Sequence, residues 1–119
     1  MKTILLVEDE ELLSYIYRER LMKAGYKVTV ANTGKECLDF LKSSEPDLIL
    51  LDIKLPDMSG LQILEEWRGI SSYVPVIILS AYESFQTEYD VWASKVSDSL
   101  LKPIALKDLL EKIREKIGE

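Results

Sequence analysis

The chain has 119 residues, enough for one compact domain with its own core and too few for two. A composition of 47% hydrophobic and 30% charged residues is that of an ordinary folded domain, and no apolar run exceeds four residues, which excludes a membrane span or a signal-peptide core. The net charge of −6 comes without a basic stripe, which argues against direct nucleic-acid binding. The expected location is the cytoplasm. With no histidine anywhere, histidine-based triads, histidine-ligated zinc and phosphohistidine carriers are excluded. The single cysteine, Cys37, has no disulfide partner and falls among Leu38, Phe40 and Leu41, as a small buried hydrophobe does.

Thr3-Ile4-Leu5-Leu6-Val7 reads as a strand that runs into Glu8-Asp9-Glu10-Glu11. From there to Ala24, Leu13, Ile16, Tyr17 and Leu21 recur at helical spacing, with acids in the first turn and Lys23 in the last, and Gly25 ends the helix. Lys27-Val28-Thr29-Val30-Ala31 alternates polar and apolar, the mark of a strand with one open face at a sheet edge. After the turn Asn32-Thr33-Gly34, a second helix turns Cys37, Leu38 and Leu41 inward and ends at Ser43-Ser44-Glu45-Pro46. Leu48-Ile49-Leu50-Leu51 is a dense apolar run leading straight into Asp52, which reads as a parallel strand covered on both faces. The loop Ile53 to Gly60, with Pro56, stops it. A third helix is expected over Leu61 to Ile70, with Leu61, Ile63, Leu64 and Trp67 inward. Val76-Ile77-Ile78-Leu79-Ser80 is a second fully apolar strand. A helix over Ser84 to Ala93 has only Phe85, Tyr89 and Trp92 as anchors. Ser99-Leu100-Leu101-Lys102 is a short strand, and the last helix, Leu106 to Ile117, buries Leu106, Leu109, Leu110, Ile113 and Ile117. Strand and helix alternate five times, which calls for a parallel sheet with helices on both faces: a three-layer α/β domain spanning residues 1–119.

In such sheets chemistry sits at the carboxyl ends of the strands. Four of the five strands end there on polar residues: Glu8 and Asp9, Asp52, Ser80 and Lys102. Three carboxylates brought together repel one another unless a cation joins them, and magnesium suits them, since it takes a few carboxylates and accepts phosphate oxygens. A lysine and a hydroxyl at the same rim complete a cradle for a phosphoryl group, with Asp52 as the nucleophile that becomes an acyl phosphate. Singly, each residue has a plain structural explanation. Acids are common at helix starts, Ser80 could satisfy backbone, and Lys102 before Pro103 could be solvated. Asp52 is harder to explain away, because a carboxylate after four buried apolar residues is costly.

Leu6-Val7-Glu8-Asp9-Glu10, Pro46-Asp47-Leu48-Ile49-Leu50-Leu51-Asp52, Leu55-Pro56-Asp57-Met58-Ser59-Gly60, Ile78-Leu79-Ser80-Ala81-Tyr82 and Leu101-Lys102-Pro103 together resemble the receiver domain of two-component response regulators, over Lys2 to Gly118. The resemblance implies a flavodoxin-like (βα)5 fold with a parallel sheet of order 2-1-3-4-5. It also implies phosphorylation of Asp52 by a sensor histidine kinase or phosphotransfer protein, in a signalling phosphoacceptor rather than an enzyme. Asp9 would ligate Mg2+ directly and Glu8 through water, with Asp52 and the backbone carbonyl of Lys54 completing the protein's share. Ser80 would be the switch hydroxyl, Lys102 the partner of the phosphoryl group, and the Lys102–Pro103 bond cis. The oligomeric state implied is a monomer or a weak phosphorylation-dependent dimer, standing alone or cut from a longer regulator.

The chain departs from that pattern at Ser99, where receivers carry an aromatic residue, and at Lys95-Val96, where a small pair is usual. Lys54 and Tyr82 occupy the two positions that tune the lifetime of the acyl phosphate in the family, and a long cation and a bulky ring there should impede water. Two other classes remain open. A haloacid dehalogenase-type hydrolase would need an aspartate where Lys54 stands. A phosphorylation-independent interaction module fits Ser99 but leaves the acids and Lys102 without a purpose.

Overall fold

The computed structural model describes residues 1–53, 55–68, 74–80, 98–101 and 105–118, with residues 61, 68, 80 and 98–101 described by backbone alone. Five strands are present: β1 (Thr3–Val7), β2 (Lys27–Ala31), β3 (Leu48–Asp52), β4 (Val76–Ser80) and β5 (Asp98–Leu101). The described helices are α1 (Glu11–Lys23), α2 (Gly34–Ser43), α3 (Gly60–Arg68) and α4 (Leu106–Ile117). The strands form one parallel sheet in the order β2-β1-β3-β4-β5, as expected, with β2 at an edge.

Side chains alternate across the sheet and sort the core into two layers. Ile4, Leu6, Leu48, Leu50, Ile77 and Leu79 pack on Tyr17 and Leu21 of α1 and on Leu109 and Ile113 of α4. Leu5, Val7, Ile49, Leu51, Val76 and Ile78 face Cys37 of α2 and Ile63, Leu64 and Trp67 of α3. β1, β3 and β4 therefore bury both faces, which is why they read as unbroken apolar runs rather than as alternation.

The end of α1 shows how local chemistry sets the frame. Gly25 has φ +101°, a conformation that suits glycine, and its N–H donates to Met22 O at 3.0 Å while Tyr26 N–H reaches Leu21 O at 3.1 Å. This is the Schellman arrangement, and its accompanying apolar contact is made by Tyr26 against Leu21 in the same core layer. The chain reverses there and delivers β2 to the edge beside β1.

Two expectations are corrected. Ile16 does not face the core but is 37% exposed, and the buried position beside Tyr17 belongs to Ser14. The Ser14 hydroxyl donates to Glu11 O at 3.0 Å, so its burial leaves no orphaned group. α1 carries apolar residues on more than one side, with Leu12, Tyr15, Ile16 and Met22 outward among charged residues, so spacing alone could not say which stripe was inward. β5 spans Asp98–Leu101, one residue earlier than read. The helix expected over Ser84 to Ala93 lies outside the described residues. No helix among the described residues is long and apolar enough to cross a membrane.

Candidate functional site

The site follows from the register of β1 against β3. Their last pairs are Leu6 with Leu50 and Val7 with Leu51, so one further step sets Glu8 beside Asp52 at the carboxyl end of the sheet. Parallel neighbours lie about 4.8 Å apart, which brings the two carboxylates into one place without any special loop. Glu8, Asp9 and Asp52 each offer an oxygen, and these oxygens lie within 4.8 Å of one another. Glu8 and Asp52 are buried, at 0% and 6% exposure, whereas Asp9 opens to solvent. Asp52 is at the same time in register with Leu79 of β4.

The backbone around the acids is tied down on both sides. Glu8 N–H donates to Ala31 O at 3.0 Å, and Asn32 Nδ2 donates to Glu8 O at 2.9 Å. The Glu8 carboxylate accepts from Glu10 N–H at 3.2 Å, just before α1 begins. Beyond Asp52 the loop closes on itself, with Gly60 N–H on Ile53 O at 2.9 Å. A Cβ on Gly60 would lie 3.0 Å from Asp52 O and 3.3 Å from Ile53 Cα, so glycine is what lets α3 start against the end of β3.

The remaining residues expected at the site divide by position. Ser80 ends β4 beside Leu101 of β5, on the same rim, with its backbone alone described. Ser99 lies within β5 opposite Ile78. Lys54, Tyr82, Lys102 and the Lys102–Pro103 bond lie outside the described residues.

Sequence reasoning missed Asn32 and Asp57. The sequence shows Asn32 only within a turn, and Asp57 only within the loop after β3 and the motif Leu55-Pro56-Asp57-Met58-Ser59-Gly60. The Asp57 carboxylate accepts from Gly34 N–H at 2.8 Å and Lys35 N–H at 2.9 Å, across 23 and 22 residues of sequence. The Gly34 N–H, foremost, and that of Lys35 hold this carboxyl below its ordinary value of 3.8. The contact is therefore complete above that value, and it is lost as the pH falls through the lowered one. Cys37 is no part of the site. Burial pushes its thiol up to about 12, so it remains neutral and unreactive in the folded protein.

Three carboxylates crowded at a strand end, two of them out of water, form a set that a small hard cation neutralises. The donor set, all oxygen and with one side open, fits a divalent ion that keeps waters and can share a second anion.

Comparison with known proteins bears on the same region. Over 116 residues the chain is 37% identical to the uncharacterized transcriptional regulatory protein YkoG of Bacillus subtilis, an alignment covering 98% of this chain and 51% of that protein. The chain spans between 22% and 51% of the length of the curated relatives it matches. Among solved structures, a CheY-like receiver domain protein from Methanospirillum hungatei superposes with a TM-score of 0.91 at 32% identity, covering 98% of this chain and 94% of that one. Response regulator protein TrrA from Thermotoga maritima, solved in complex with Mg2+-BeF, gives 0.87 at 32% identity over 97% and 98% of the two chains. The family model for the response regulator receiver domain matches residues 4–114, a span that takes in all of the five strands but Thr3 and includes the acidic cluster, and the chain belongs to that family.

Proposed function

We propose that this chain is a single receiver unit over residues 1–119 that takes a phosphoryl group on Asp52 in a Mg2+-dependent reaction. The observation that carries this is the convergence of Glu8, Asp9 and Asp52 within 4.8 Å at the end of β1 and β3. Asp9, Asp52 and the Lys54 carbonyl would hold the ion, with Glu8 behind them through water. When bound, it supplies positive charge for the phosphoryl oxygens. The protein's own work is placement. β3 ends on the Asp52 carboxylate, the nucleophile, whose oxygen forms a bond to phosphorus as the bond to the donor's nitrogen or oxygen breaks. Lys102, which follows Leu101 in the sequence, would neutralise the transferred group, and Ser80, at the end of β4, would donate its hydroxyl to it. The chain thereby assists its own phosphorylation and dephosphorylation without turning over a substrate as an enzyme does.

The test is intact mass after incubation with Mg2+ and acetyl phosphate. One added phosphoryl group is expected, and none, where a known receiver is labelled, sinks the reading. The adduct should persist far longer than in a fast switch, because Lys54 and Tyr82 would crowd the path of an attacking water. Decay of the labelled protein, followed after removing the donor, checks this, and loss within seconds would contradict it.

The phosphodonor is a sensor histidine kinase or a phosphotransfer protein, met in the cytoplasm. Its docking face is the outer side of α1, which begins two residues after Asp9 and carries Leu12, Tyr15, Ile16 and Met22 in the open. Four large apolar side chains exposed among charges on one helix want cover, and a donor whose phosphohistidine must reach Asp52 passes over that end of the fold. Ile16→Arg should slow transfer from the protein donor by about tenfold, or about 1.4 kcal/mol, and leave labelling by acetyl phosphate unchanged. Equal loss with both donors would place the effect in the site instead.

A redox-sensing reading arises because one solved neighbour, 27% identical, is described as belonging to a streptococcal redox-sensor family. The neutral, buried Cys37 thiol gives it no reactive group.

A further inference from the structure

The start of α2 touches both walls of the acidic site. On one side the end of β2 and the residue after it are bonded to Glu8, through Ala31 O and through Asn32 Nδ2. On the other, the tip of the loop that leaves Asp52 is bonded to the first two amides of α2, through Asp57. Between these points the turn is rigid. Thr33 Oγ1 accepts from Glu36 N–H at 3.1 Å, and Glu36 Oε1 accepts from Asn32 N–H at 3.0 Å. The contact with the loop is also steric, because a Cβ on Gly34 would collide with Met58 Cγ and Sδ.

From this geometry we propose that the N-terminus of α2 is a bracket that sets the spacing between Glu8-Asp9 and Asp52, with Asn32 and Asp57 as its two positioning residues. The proposal rests on the reading of the acidic cluster as an ion-dependent phosphoacceptor site. The two walls belong to different parts of the chain, Glu8-Asp9 to the β1–α1 connection and Asp52 to the end of β3. The β1–β3 register ends at Val7 and Leu51, so Glu8 and Asp9 lie past its last pair, whereas Asp52 is still paired with Leu79 of β4. Mg2+ tolerates little error in ligand placement, so slack between the walls shows first as lost affinity for the ion. Asp57 suits the task chemically, because an ionised carboxylate at a helix N-terminus satisfies two free amides and complements the helix dipole. Asn32 suits it because its amide donates to the Glu8 carbonyl from a turn whose backbone is already held.

A bracket with two ends works in series, and that gives it a signature. Releasing either end frees the same spacing, so releasing both adds little. The experiment measures Mg2+ affinity by calorimetry with no phosphodonor, and then the Mg2+ dependence of labelling by acetyl phosphate, for Asp57→Ala, Asn32→Ala and the double variant. Both are run well below the thermal midpoints, with Asp39→Ala, an acid on the exposed side of α2, as the control for lost charge. Each single variant should need about fivefold more Mg2+, with the rate at saturating Mg2+ nearly kept, and the double variant should match the weaker single. Asp57→Asn should recover most of the affinity, because its amide oxygen still accepts from Gly34 N–H. An unchanged Mg2+ requirement in either single variant, or a double-variant shift equal to the product of the two, overturns the bracket. Wild-type protein that binds Mg2+ but takes no phosphoryl group defeats the phosphoacceptor reading and leaves the calorimetric test of the bracket in force. Wild-type protein that binds no Mg2+ sinks both.

Discussion

Asp52→Asn is expected to abolish labelling by acetyl phosphate, while the thermal midpoint stays within about 5 °C of wild type, the equivalent of about 1 kcal/mol. Asparagine keeps the shape of the side chain at the end of β3, so the packing of Leu51 and the closure of Gly60 on Ile53 should survive. What it removes is the nucleophilic oxygen anion. A neutral amide oxygen does not form the acyl phosphate, and Glu8, fully buried, and Asp9, both in the β1–α1 connection, are not the last residue of β3. Labelled Asp52→Asn at the wild-type rate would mean that another group accepts the phosphoryl.

The second large effect belongs to Asp9. It is the one member of the cluster open to solvent. Glu8 and Asp52 are both buried with oxygens within 4.8 Å of each other, so two like charges there repel, and an ion held between them would relieve that repulsion. Asp9→Asn should lower Mg2+ affinity by at least about tenfold, or about 1.4 kcal/mol. The linked observation is thermal. Mg2+ at a hundred times its dissociation constant should stabilise the wild type by about 2.7 kcal/mol, and the same concentration should raise the midpoint of Asp9→Asn far less. Equal upward shifts in the two proteins would place the ion elsewhere.

What the sequence revealed, and what it hid, follows the range of the interactions. β3 was legible because Leu48 to Leu51 are apolar without a break and end on a carboxylate, a pattern few structures other than a central parallel strand produce. Glu8 lies beside Asp52 because the register pairs Val7 with Leu51, so the residue after β1 meets the last residue of β3. The face of α1 was not legible. Leu12, Leu13, Tyr15, Ile16, Tyr17, Leu21 and Met22 supply more than one helical stripe, and the choice between them is made by the fit of Tyr17 and Leu21 against Ile4 and Leu6. Ser14, buried because its hydroxyl finds a carbonyl in its own helix, carries no apolar signal at all. Asn32 and Asp57 were hidden for a different reason. Each looks like ordinary turn chemistry, and their purpose depends on partners 22 to 24 residues away.

The most direct test of the central claim is to locate the phosphoryl group. Borohydride reduces an acyl phosphate to an alcohol, which turns a phosphorylated aspartate into homoserine and leaves serine and threonine phosphates untouched. After labelling with acetyl phosphate and Mg2+, peptide mapping should find homoserine at position 52 and nowhere else. Homoserine at position 9, or a phosphate that resists reduction on a hydroxyl such as Ser80, would contradict the assignment of Asp52 as the acceptor.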